Sequence, residues 1–523
     1  FLDIRSELVS LGHKFYSTGD TEVLLRAYLQ WGKDCIYKFN GMWAFALFDS
    51  RDKILWLSRD RFGVKPLYLY MSDTTLFVAS EKKAFFQLPL RYISPLRKNA
   101  YSQLVSAEKY IFNDSSLSVS RHKIFNFPPG CQMDVYYRSR VFFKASRWWD
   151  LLDNCVENRG SFDDQVAEFS DLLVDACRIR NIADVPLSIT VSGGLDSSVV
   201  ASISKSISDA NNAKPRTIFT VDYKDTPNSE AKFVSEYCRF YGCNPVSIVL
   251  DISSFPFIDL EDSIFYSETI GESNLGIYMI YKRMRETGSV VCLGGSGADE
   301  YLGGYHHYAL PSLFDVFDDS RQYEERRSIW SSVQDAGLGD GESAIGMPTF
   351  SKRALLDRPL RVSKNGYMKD IMDYSFFHDC RKNLAKQDFL SMASGVELRS
   401  PFMDFRVISF LRSLPTKSIL GDGFTKRILR HAAFRNNWLP RSILTRKDKM
   451  GFATPFHSWL KSPGIQSYLL DLMRSQEFLD NSWFDGRLVS SVFEEKIALK
   501  NFSDAKKRLR FVNAYILLRR LLS

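Results

Sequence analysis

The sequence predicts an α/β protein in which a region of short β-hairpins precedes a parallel β-sheet covered by helices. Short apolar and aromatic segments separated by turn residues occur within roughly the first 90 residues, a pattern typical of hairpins, and residues 100–150 are mixed. From about residue 163, strand-like segments alternate with amphipathic helix-like segments. This alternation predicts a parallel sheet, because parallel strands are joined by crossover helices. After about residue 305 the pattern is mostly helical.

The composition is that of an ordinary globular protein and excludes several other classes. The 523 residues are 45% hydrophobic and 25% charged, which excludes a disordered chain, a collagen-like repeat and a coiled-coil rod. No apolar run approaches the roughly 18 residues that span a bilayer, so we expect no membrane partner. The 69 Lys and Arg residues exceed the 61 Asp and Glu residues by 8, an excess too modest to predict nucleic-acid binding.

The eight cysteines are scattered, with neither a CxxC pair nor a metal-ligand spacing. This usage predicts a reducing, cytoplasmic compartment. No signal peptide is recognised at the start. The first residue is Phe1, and a helix-like segment begins at once, so we expect the sequence to start partway through a domain.

The hairpin region contains two pairs of strand signals. An apolar run at 43–48, a polar turn at 49–52 and a second apolar run at 54–57 predict the first hairpin. Because the first of these runs is almost entirely apolar, we expect its strand to be buried on both faces. Residues 66–70 and 76–79 flank a polar turn and predict the second hairpin.

A polar stretch at 154–164 marks the predicted domain boundary. The segment that follows, 162–180, is predicted to be an amphipathic helix. Its apolar stripe consists of Val166, Phe169, Leu172, Leu173 and Ala176. The strands predicted beyond it are 187–191, 217–221, 245–250 and 290–293.

A Gly-rich turn follows the strand at 187–191 and leads into a helix predicted to start near Ser197. Its sequence is Ser192-Gly193-Gly194-Leu195-Asp196-Ser197-Ser198. Glycines let the backbone approach a ligand closely, and the free N–H groups of a helix start favour an anion. The turn lacks the lysine of a Walker-type loop. The pattern therefore indicates a phosphate site, and Asp196 would need a cation such as Mg²⁺ between itself and phosphate.

The alternative for this turn is an ordinary Gly-rich connection in which Asp and Ser side chains cap the helix. The full heptapeptide, placed between a strand and a helix, favours the phosphate site.

Residues 192–198 resemble the SGGxDS loop of ATP pyrophosphatases, and the chain as a whole is similar to the glutamine-dependent asparagine synthetase family. Blocks along almost the whole sequence carry this resemblance: Asn40–Asp49, Arg59–Tyr68, Ser80–Ala84, Asp184–Pro186, Gly294–Glu300 with Gly303–Tyr305, Phe389–Ala393, Val396–Asp404, and Thr425-Lys426 with Lys449–Phe452.

The resemblance implies two domains. Residues 1–150 would form a class II glutamine amidotransferase domain, an αββα sandwich of the N-terminal-nucleophile type that lacks its start. Residues 163–523 would form a doubly wound parallel-sheet ATP pyrophosphatase domain with a helical C-terminal part. Within the first domain, Arg59 and Asp60 are expected to make structural polar contacts.

The resemblance also implies the chemistry. ATP adenylates the side-chain carboxylate of aspartate, pyrophosphate leaves, and ammonia from glutamine attacks the acyl-adenylate. Asp196 and Asp299 would bind Mg²⁺, and Lys426 and Lys449 would act on the departing pyrophosphate. Taken singly, each of these lysines is an ordinary surface charge. The ATP-binding set would be Ser192, Gly193, Gly194, Asp196, Ser197, Ser198, Gly295, Lys426 and Lys449.

One position departs from the family pattern. Ser296 stands where the family usually has an acidic residue that is credited with handling a proton at the acyl-adenylate. A serine alone is not a general base at neutral pH. The departure therefore bears on the amide-forming step and leaves the ATP site intact.

The amidotransferase features are incomplete. Asp20 matches the family residue that grips the α-amino group of glutamine, although an Asp before a helix is also an ordinary N-cap. The family's N-terminal Cys nucleophile is not at Phe1, and Cys35 lies in a helix-like stretch. We expect a fragment rather than a degenerate glutaminase, and we expect the sequence as it stands to use ammonia but not to hydrolyse glutamine.

Three alternatives remain open at this point. A β-lactam synthetase or peptide macrolactam cyclase would fit Ser296 and the missing nucleophile. A non-catalytic scaffold is disfavoured, because a site that has lost its function tends to lose charges that are costly to bury. A tRNA-modifying ATP pyrophosphatase is disfavoured by the N-terminal domain and by the absence of a concentrated basic groove. The family also allows a homodimer.

Overall fold

A computed structural model gives the fold and confirms the predicted α/β class. It describes residues 1–72, 74–89, 92, 100, 102, 104, 122–137, 141–153, 156–212, 216–226, 228–271, 274–316, 320–335, 366–447 and 454–522. The chain divides into two compact units, Phe1–Trp43 and Ala44–Ser523.

The first unit is helical. It contains α1 (Leu2–Ser10), α2 (Asp20–Trp31) and α3 (Cys35–Lys38). Glu22 accepts hydrogen bonds from the backbone N–H groups of Tyr16 (3.0 Å) and Ser17 (2.7 Å), which fixes the loop that precedes α2. Cys35 is buried at the start of α3, as the helix-like pattern predicts.

The second unit begins with two antiparallel sheets. One has the strand order β1-β2-β6-β7 and the other β4-β3-β5. Both predicted hairpins are confirmed, because β1 pairs with β2 and β3 pairs with β4. The strands are β1 (Ala44–Asp49), β2 (Ile54–Arg59), β3 (Tyr68–Met71), β4 (Leu76–Ala79), β5 (Ile124–Asn126), β6 (Cys131–Tyr137) and β7 (Val141–Arg147).

The prediction that the first strand is buried on both faces is wrong. Strand β1 lies at the edge of its sheet and alternates, with Leu47 and Asp49 buried while Ala46 and Phe48 are exposed. Strand β2, its inner neighbour, is the more buried of the two because it is covered by hydrogen-bonded strands on both sides.

The turn between β2 and β3 is held by two buried charges, and the expectation of structural contacts for Arg59 and Asp60 is confirmed. The Arg59 guanidinium donates to Asn126 Oδ1 (2.8 Å) and to the carbonyl of Lys65 (2.7 Å). The Asp60 carboxylate accepts the backbone N–H groups of residues 62, 64 and 65. These bonds replace water for two side chains that are about 1% exposed.

The parallel sheet has five strands in the order β10-β9-β8-β11-β12. They are β8 (Leu187–Thr190), β9 (Thr217–Tyr223), β10 (Pro245–Leu250), β11 (Val291–Leu293) and β12 (Glu397–Arg399). The four predicted strands are confirmed, and β12 was not predicted. From β8 the chain first adds strands on one side and then returns to add β11 on the other. The point where the order reverses, between β8 and β11, is where open α/β sheets bind ligands.

Helices cover this sheet and form the rest of the second unit. The predicted helix at 162–180 is confirmed, with Ser161 as its N-cap. No helix among the described residues is long and apolar enough to cross a bilayer.

The helices of the second unit are α4 (Phe162–Arg180), α5 (Leu195–Ala210), α6 (Ala231–Tyr241), α7 (Phe257–Ser267), α8 (Leu275–Glu286), α9 (Ala298–Leu302), α10 (Ala309–Phe314), α11 (Ser320–Asp335), α12 (Tyr367–Ser375), α13 (Arg381–Ala393), α14 (Phe405–Ser413), α15 (Thr416–Ile419), α16 (Arg427–Arg435), α17 (Arg441–Leu444), α18 (Phe456–Trp459), α19 (Pro463–Arg474), α20 (Gln476–Leu479), α21 (Gly486–Ala498) and α22 (Phe502–Leu522).

Polar contacts, most of them shielded from water, attach the antiparallel sheets to the helices around the parallel sheet. Lys65 Nζ lies 2.7 Å from Asp388 Oδ1 on α13. The buried Glu268 carboxylate, just after α7, accepts the backbone N–H groups of Lys82 (3.0 Å) and Lys83 (2.9 Å). Within the second unit, the hairpin region is therefore fixed to the helical layer by polar contacts as well as by packing.

A buried carboxylate, Asp404, joins α4 to α14. It is fully buried, caps α14 by accepting the N–H of Arg406, and binds the side chains of Arg406 (2.9 Å) and Arg180 (2.9 Å). Burial favours the neutral acid, but the Arg406 hydrogen bond and the Arg180 charge outweigh it and lower the pKa of Asp404 to about 2.

Asp404→Asn should destabilise the fold at neutral pH. Asparagine keeps the cap but leaves two arginines facing a neutral group, so we expect a loss of about 3 kcal/mol in unfolding free energy. Because the folded pKa lies below the unfolded value, this contribution is present above about pH 4 and is lost as pH falls through about 2. Urea unfolding followed by circular dichroism at pH 7 and pH 3 measures both effects.

Asp175→Asn is the matched control. Asp175 pairs with the same Arg406 (2.7 Å) and with Arg178, but its side chain is 32% exposed. We expect a loss of about 1 kcal/mol or less there. Equal effects of the two substitutions would contradict the role assigned to Asp404.

Candidate active site

The Gly-rich turn lies at the end of β8, at the point where the strand order reverses. Helix α5 begins at Leu195, two residues before the predicted start, with Gly194 as its N-cap and no side-chain cap. The capping alternative for Asp196, Ser197 and Ser198 is therefore not what the structure has. The backbone N–H of Ser192 instead donates to Ser197 Oγ (3.1 Å). This hydrogen bond connects the first residue of the turn to the first turn of the helix.

Two glycines bring backbones into close contact at this turn. Gly193 has φ +73°, and a Cβ there would lie 2.8 Å from Phe233 Cβ. Gly295 follows β11, and a Cβ there would lie 2.8 Å from the backbone nitrogen of Ser197. Any side chain at residue 295 would therefore push the loop after β11 away from the turn after β8.

The structure brings three of the predicted site residues together: two carboxylates contact the ammonium group of one lysine. Lys426 Nζ lies 2.5 Å from Asp196 Oδ2 and 2.5 Å from Asp299 Oδ1. Asp196 is in the first turn of α5, and Asp299 is in the first turn of α9. The Lys426 side chain is only 5% exposed, so its charge is compensated by these two carboxylates rather than by water.

Backbone geometry places this lysine. Lys426 has φ +56° and donates its N–H to the carbonyl of Leu302 at the end of α9 (3.1 Å). A side chain on Gly304 would overlap both the Asp299 carboxylate and the Lys426 side chain. Gly304 must therefore lack a side chain for the Lys426 ammonium to reach Asp299.

A buried hydroxyl in the turn points to a further interaction. The Ser198 Oγ is buried and has no hydrogen-bond partner within the described residues. Buried polar atoms are normally satisfied, so an oxygen of this kind marks a place where a ligand or water would bind. Ser198 belongs to the predicted phosphate-binding set.

Beside Asp299, Glu300 is buried and accepts a hydrogen bond from the Tyr305 hydroxyl (2.9 Å). Burial, followed by the charge of Asp299, raises the pKa of Glu300 to about 7. In the same loop, the Ser296 hydroxyl donates to Gln387 Oε1 on α13 (2.7 Å). The position that departs from the family pattern is therefore occupied by a neutral hydrogen-bonded pair.

Two predicted residues are not part of this cluster. Lys449 lies outside the described residues. Asp20 is the first residue of α2 in the first unit, where it is exposed and Gly19 is the N-cap. The N-cap alternative for Asp20 is therefore wrong, because the helix starts one residue earlier than that role requires.

Sequence reasoning missed Arg430 and Arg446, which contact the backbone of the site segments. Arg430 donates to the carbonyl of Thr425 (2.8 Å), and Arg446 donates to the carbonyl of Gly193 (3.2 Å). Their position between Lys426 and Lys449 was a usable signal. Main-chain carbonyls are among their chief partners, however, and these leave no residue pattern in a sequence.

A cavity of about 590 Å³ lies beside α16 and α17. Arg430, Leu444 and Thr445 line it, and none of the predicted site residues does. We assign the chemistry to the charged cluster rather than to this cavity, because the cluster combines compensated buried charges with a helix start.

Comparison with known proteins gives two family matches. A family described as asparagine synthase matches residues 168–518, and a family described as glutamine amidotransferase domain matches residues 1–149. The first match contains Asp196, Asp299 and Lys426.

Curated relatives match over most of the chain. Asparagine synthetase [glutamine-hydrolyzing] 3 of Bacillus subtilis (strain 168) is 26% identical over 510 residues, which cover 94% of this chain and 80% of the relative. Asparagine synthetase [glutamine-hydrolyzing] 1 of the same strain is 26% identical over 495 residues, covering 88% and 75%. Asparagine synthetase [glutamine-hydrolyzing] of Cricetulus griseus is 25% identical over 472 residues, covering 87% and 71%.

Gly295→Ala should weaken nucleotide binding. The added methyl group meets backbone atoms of Asp196 and Ser197, which are fixed by α5, so the loop after β11 must move. We expect the Kd for ATP to rise at least about tenfold, because displaced polar groups lose their partners. Isothermal titration calorimetry measures it.

Gly464→Ala, in the first turn of α19, is the control for that substitution. The nearest atom to its added Cβ is 3.9 Å away, so ATP affinity should not change. An unchanged ATP affinity in Gly295→Ala would show that the close contact of the two loops is not needed for the nucleotide.

Proposed function

This chain belongs to the asparagine synthase family, and from that premise we propose that it forms asparagine from aspartate and ATP, with glutamine-derived or free ammonia as nitrogen donor. A carboxylate oxygen of the aspartate side chain attacks the α-phosphorus of ATP, and pyrophosphate leaves. Ammonia then attacks the acyl carbon, and AMP leaves. The observation that carries the proposal is the buried Asp196–Lys426–Asp299 cluster beside the start of α5.

The turn at 192–198 would bind the phosphates. The first N–H groups of α5 have no partner within the helix and lie at the positive end of its dipole, where an anion is favoured. Ser198 Oγ would gain a hydrogen-bond partner from a phosphate oxygen or an ordered water. Ser192 and Ser197, which hydrogen-bond each other, would keep the turn in shape while the ligand enters.

Lys426 would stabilise the leaving pyrophosphate. Its ammonium is held by one residue of α5 and one of α9, so it is fixed in position before any nucleotide arrives. A preorganised positive charge in a site that excludes water is worth more in the transition state than a mobile surface lysine. We propose the same pyrophosphate role for Lys449.

Asp196 and Asp299 would hold Mg²⁺. The donor chemistry fits, because each carboxylate has a second oxygen besides the one that contacts Lys426, and Mg²⁺ is commonly held by one or two carboxylates together with substrate phosphates. No group of three or more His, Cys, Asp or Glu that could hold a metal by itself occurs in the described residues. When bound, the ion would offset the charge that develops on the phosphate oxygens.

The proposed division of labour follows the predicted domains. Residues 1–150 would bind glutamine, with Asp20 holding its α-amino group, and residues 163–523 would carry the ligase site. Asp20 is exposed at the first turn of α2, which leaves it accessible to such a ligand. We further propose a reducing, cytoplasmic setting and a homodimeric assembly.

A second candidate function has one specific observation in its favour. At the position where the family usually has an acidic residue, Ser296 instead forms a neutral hydrogen-bonded pair with Gln387. A ligase that joins the adenylated acid to a different amine would also fit the ATP cluster. The two candidates differ only in the second half-reaction.

The test is ATP–pyrophosphate exchange with Mg²⁺, with aspartate compared with other carboxylic acids, in the presence and absence of ammonium. We expect aspartate-dependent exchange and formation of asparagine from ammonium. Exchange with aspartate but no asparagine would favour the second candidate. No exchange with any acid would contradict the proposed function.

Asp196→Asn and Lys426→Met should each lower kcat/KM for exchange by about a hundredfold to a thousandfold, because each removes a preorganised charge. The matched controls are Asp209→Asn and Lys205→Met, which break an exposed ion pair of 2.5 Å at the other end of the same helix. These controls should retain wild-type exchange. Near-normal exchange in Lys426→Met would remove that lysine from the mechanism.

A further inference from the structure

Arg446 contacts the Gly-rich turn through the main-chain carbonyl of Gly193. Its Nη1 donates to the carbonyl of Gly193 (3.2 Å) and to Glu230 Oε1 (2.7 Å). The guanidinium carbon lies 3.8 Å from the centre of the Phe233 ring. The Arg446 side chain is 6% exposed and that of Glu230 is 11% exposed, so water competes little for these bonds.

The contact with Gly193 determines which way the next peptide group faces. In a trans peptide the carbonyl of one residue and the N–H of the next point in opposite directions. Holding the Gly193 carbonyl on Arg446 therefore directs the Gly194 N–H to the other side, where it meets Ser192 Oγ (3.4 Å). That side carries two hydroxyls of the predicted phosphate-binding set, Ser192 Oγ and Ser197 Oγ, which hydrogen-bond each other.

Gly193 is suited to this arrangement for two reasons. Its φ of +73° is one that side-chain-bearing residues rarely adopt. A Cβ would also clash with Phe233, the ring on which Arg446 is stacked. One packed unit therefore includes Gly193, Phe233, Glu230 and Arg446. We expect a change in any of these residues to alter the orientation of the turn.

A second arginine connects this unit to the lysine of the charged cluster. Arg430 donates to the carbonyls of Thr425 (2.8 Å), Leu444 and Arg446 (2.8 Å). Thr425 immediately precedes Lys426, whose ammonium contacts Asp196 and Asp299. Burial lowers the pKa of Arg430 to about 10, which leaves it charged at neutral pH.

We propose that Arg446 and Arg430 are positioning residues for ATP: they hold the Gly-rich turn, the Lys426 segment and residues 444–446 at fixed separations, so that the Gly194 N–H faces the phosphates. The proposal rests on the proposed function, since it concerns the same nucleotide site. Arginine is suited to the role because its planar fork can donate to several acceptors at once, which a lysine ammonium does less well.

The experiment compares Arg446→Gln, Arg446→Lys and Arg430→Gln with the wild type. ATP binding is measured by isothermal titration calorimetry, and the KM values for ATP and aspartate are measured by pyrophosphate exchange. We expect both glutamine variants to raise the Kd and KM for ATP about tenfold to a hundredfold, while the KM for aspartate changes less than about twofold. The Kd and KM for ATP of Arg446→Lys should lie between those of the wild type and those of Arg446→Gln.

Arg441→Gln is the matched control. Arg441 is an exposed arginine on α17, five residues before Arg446, and its replacement should leave ATP binding unchanged. Glu230→Gln supplies a second variant should the arginine variants fail to fold. It leaves Arg446 in place but removes its charged partner, so we expect a rise in the ATP Kd of about threefold to tenfold.

If the two arginines only stabilised the fold, their substitution would give a different result. It would lower the thermal midpoint while the folded enzyme kept its wild-type affinity for ATP. Folded Arg446→Gln with an ATP Kd within twofold of wild type would overturn the proposal and leave the proposed function standing. A wild-type protein that neither binds ATP nor supports exchange would overturn both.

Discussion

The site depends on one electrostatic constraint: three charged side chains share a space from which water is largely excluded. Asp196 and Asp299 lie in the first turns of the helices that follow neighbouring parallel strands, and their like charges would repel each other if nothing lay between them. The Lys426 ammonium compensates both. The glycines at 295 and 304 follow from this constraint, because each lets backbone or side chains approach closely enough to maintain it.

Much of the fold could be predicted from the sequence because its signals are local. Hydrophobic periodicity located the helix at 162–180, and turn residues located both hairpins. Strand β12 was missed because its three residues have no periodicity of their own and pair only through β11. The burial of β1 was misjudged because composition does not reveal whether a strand lies at the edge of a sheet.

In the candidate site, the residues that belong to sequence motifs could be predicted, and the residues outside motifs could not. Asp196, Asp299 and Lys426 were identified within motifs, and the structure places an oxygen of each carboxylate 2.5 Å from the Lys426 ammonium nitrogen. Arg430 and Arg446 were missed because main-chain carbonyls, which every residue has, are among their chief partners. Gln387, the partner of Ser296, was missed because an amide on a helix carries no signal until its neighbour across the fold is known.

The contacts that complete the nucleotide site also set when it can form during synthesis. Gly193 and its partner Arg446 are 253 positions apart, and Asp196 and Lys426 are 230 apart. At a translation rate of about 5–20 residues per second, the Gly-rich turn would emerge roughly 10–50 s before the arginine that orients it. Lys426 follows Asp299 by 127 positions, so for roughly 6–25 s of that interval both carboxylates would have emerged without the ammonium that compensates them. A cation or a chaperone acting in this interval would meet a site whose charge differs from that of the finished enzyme.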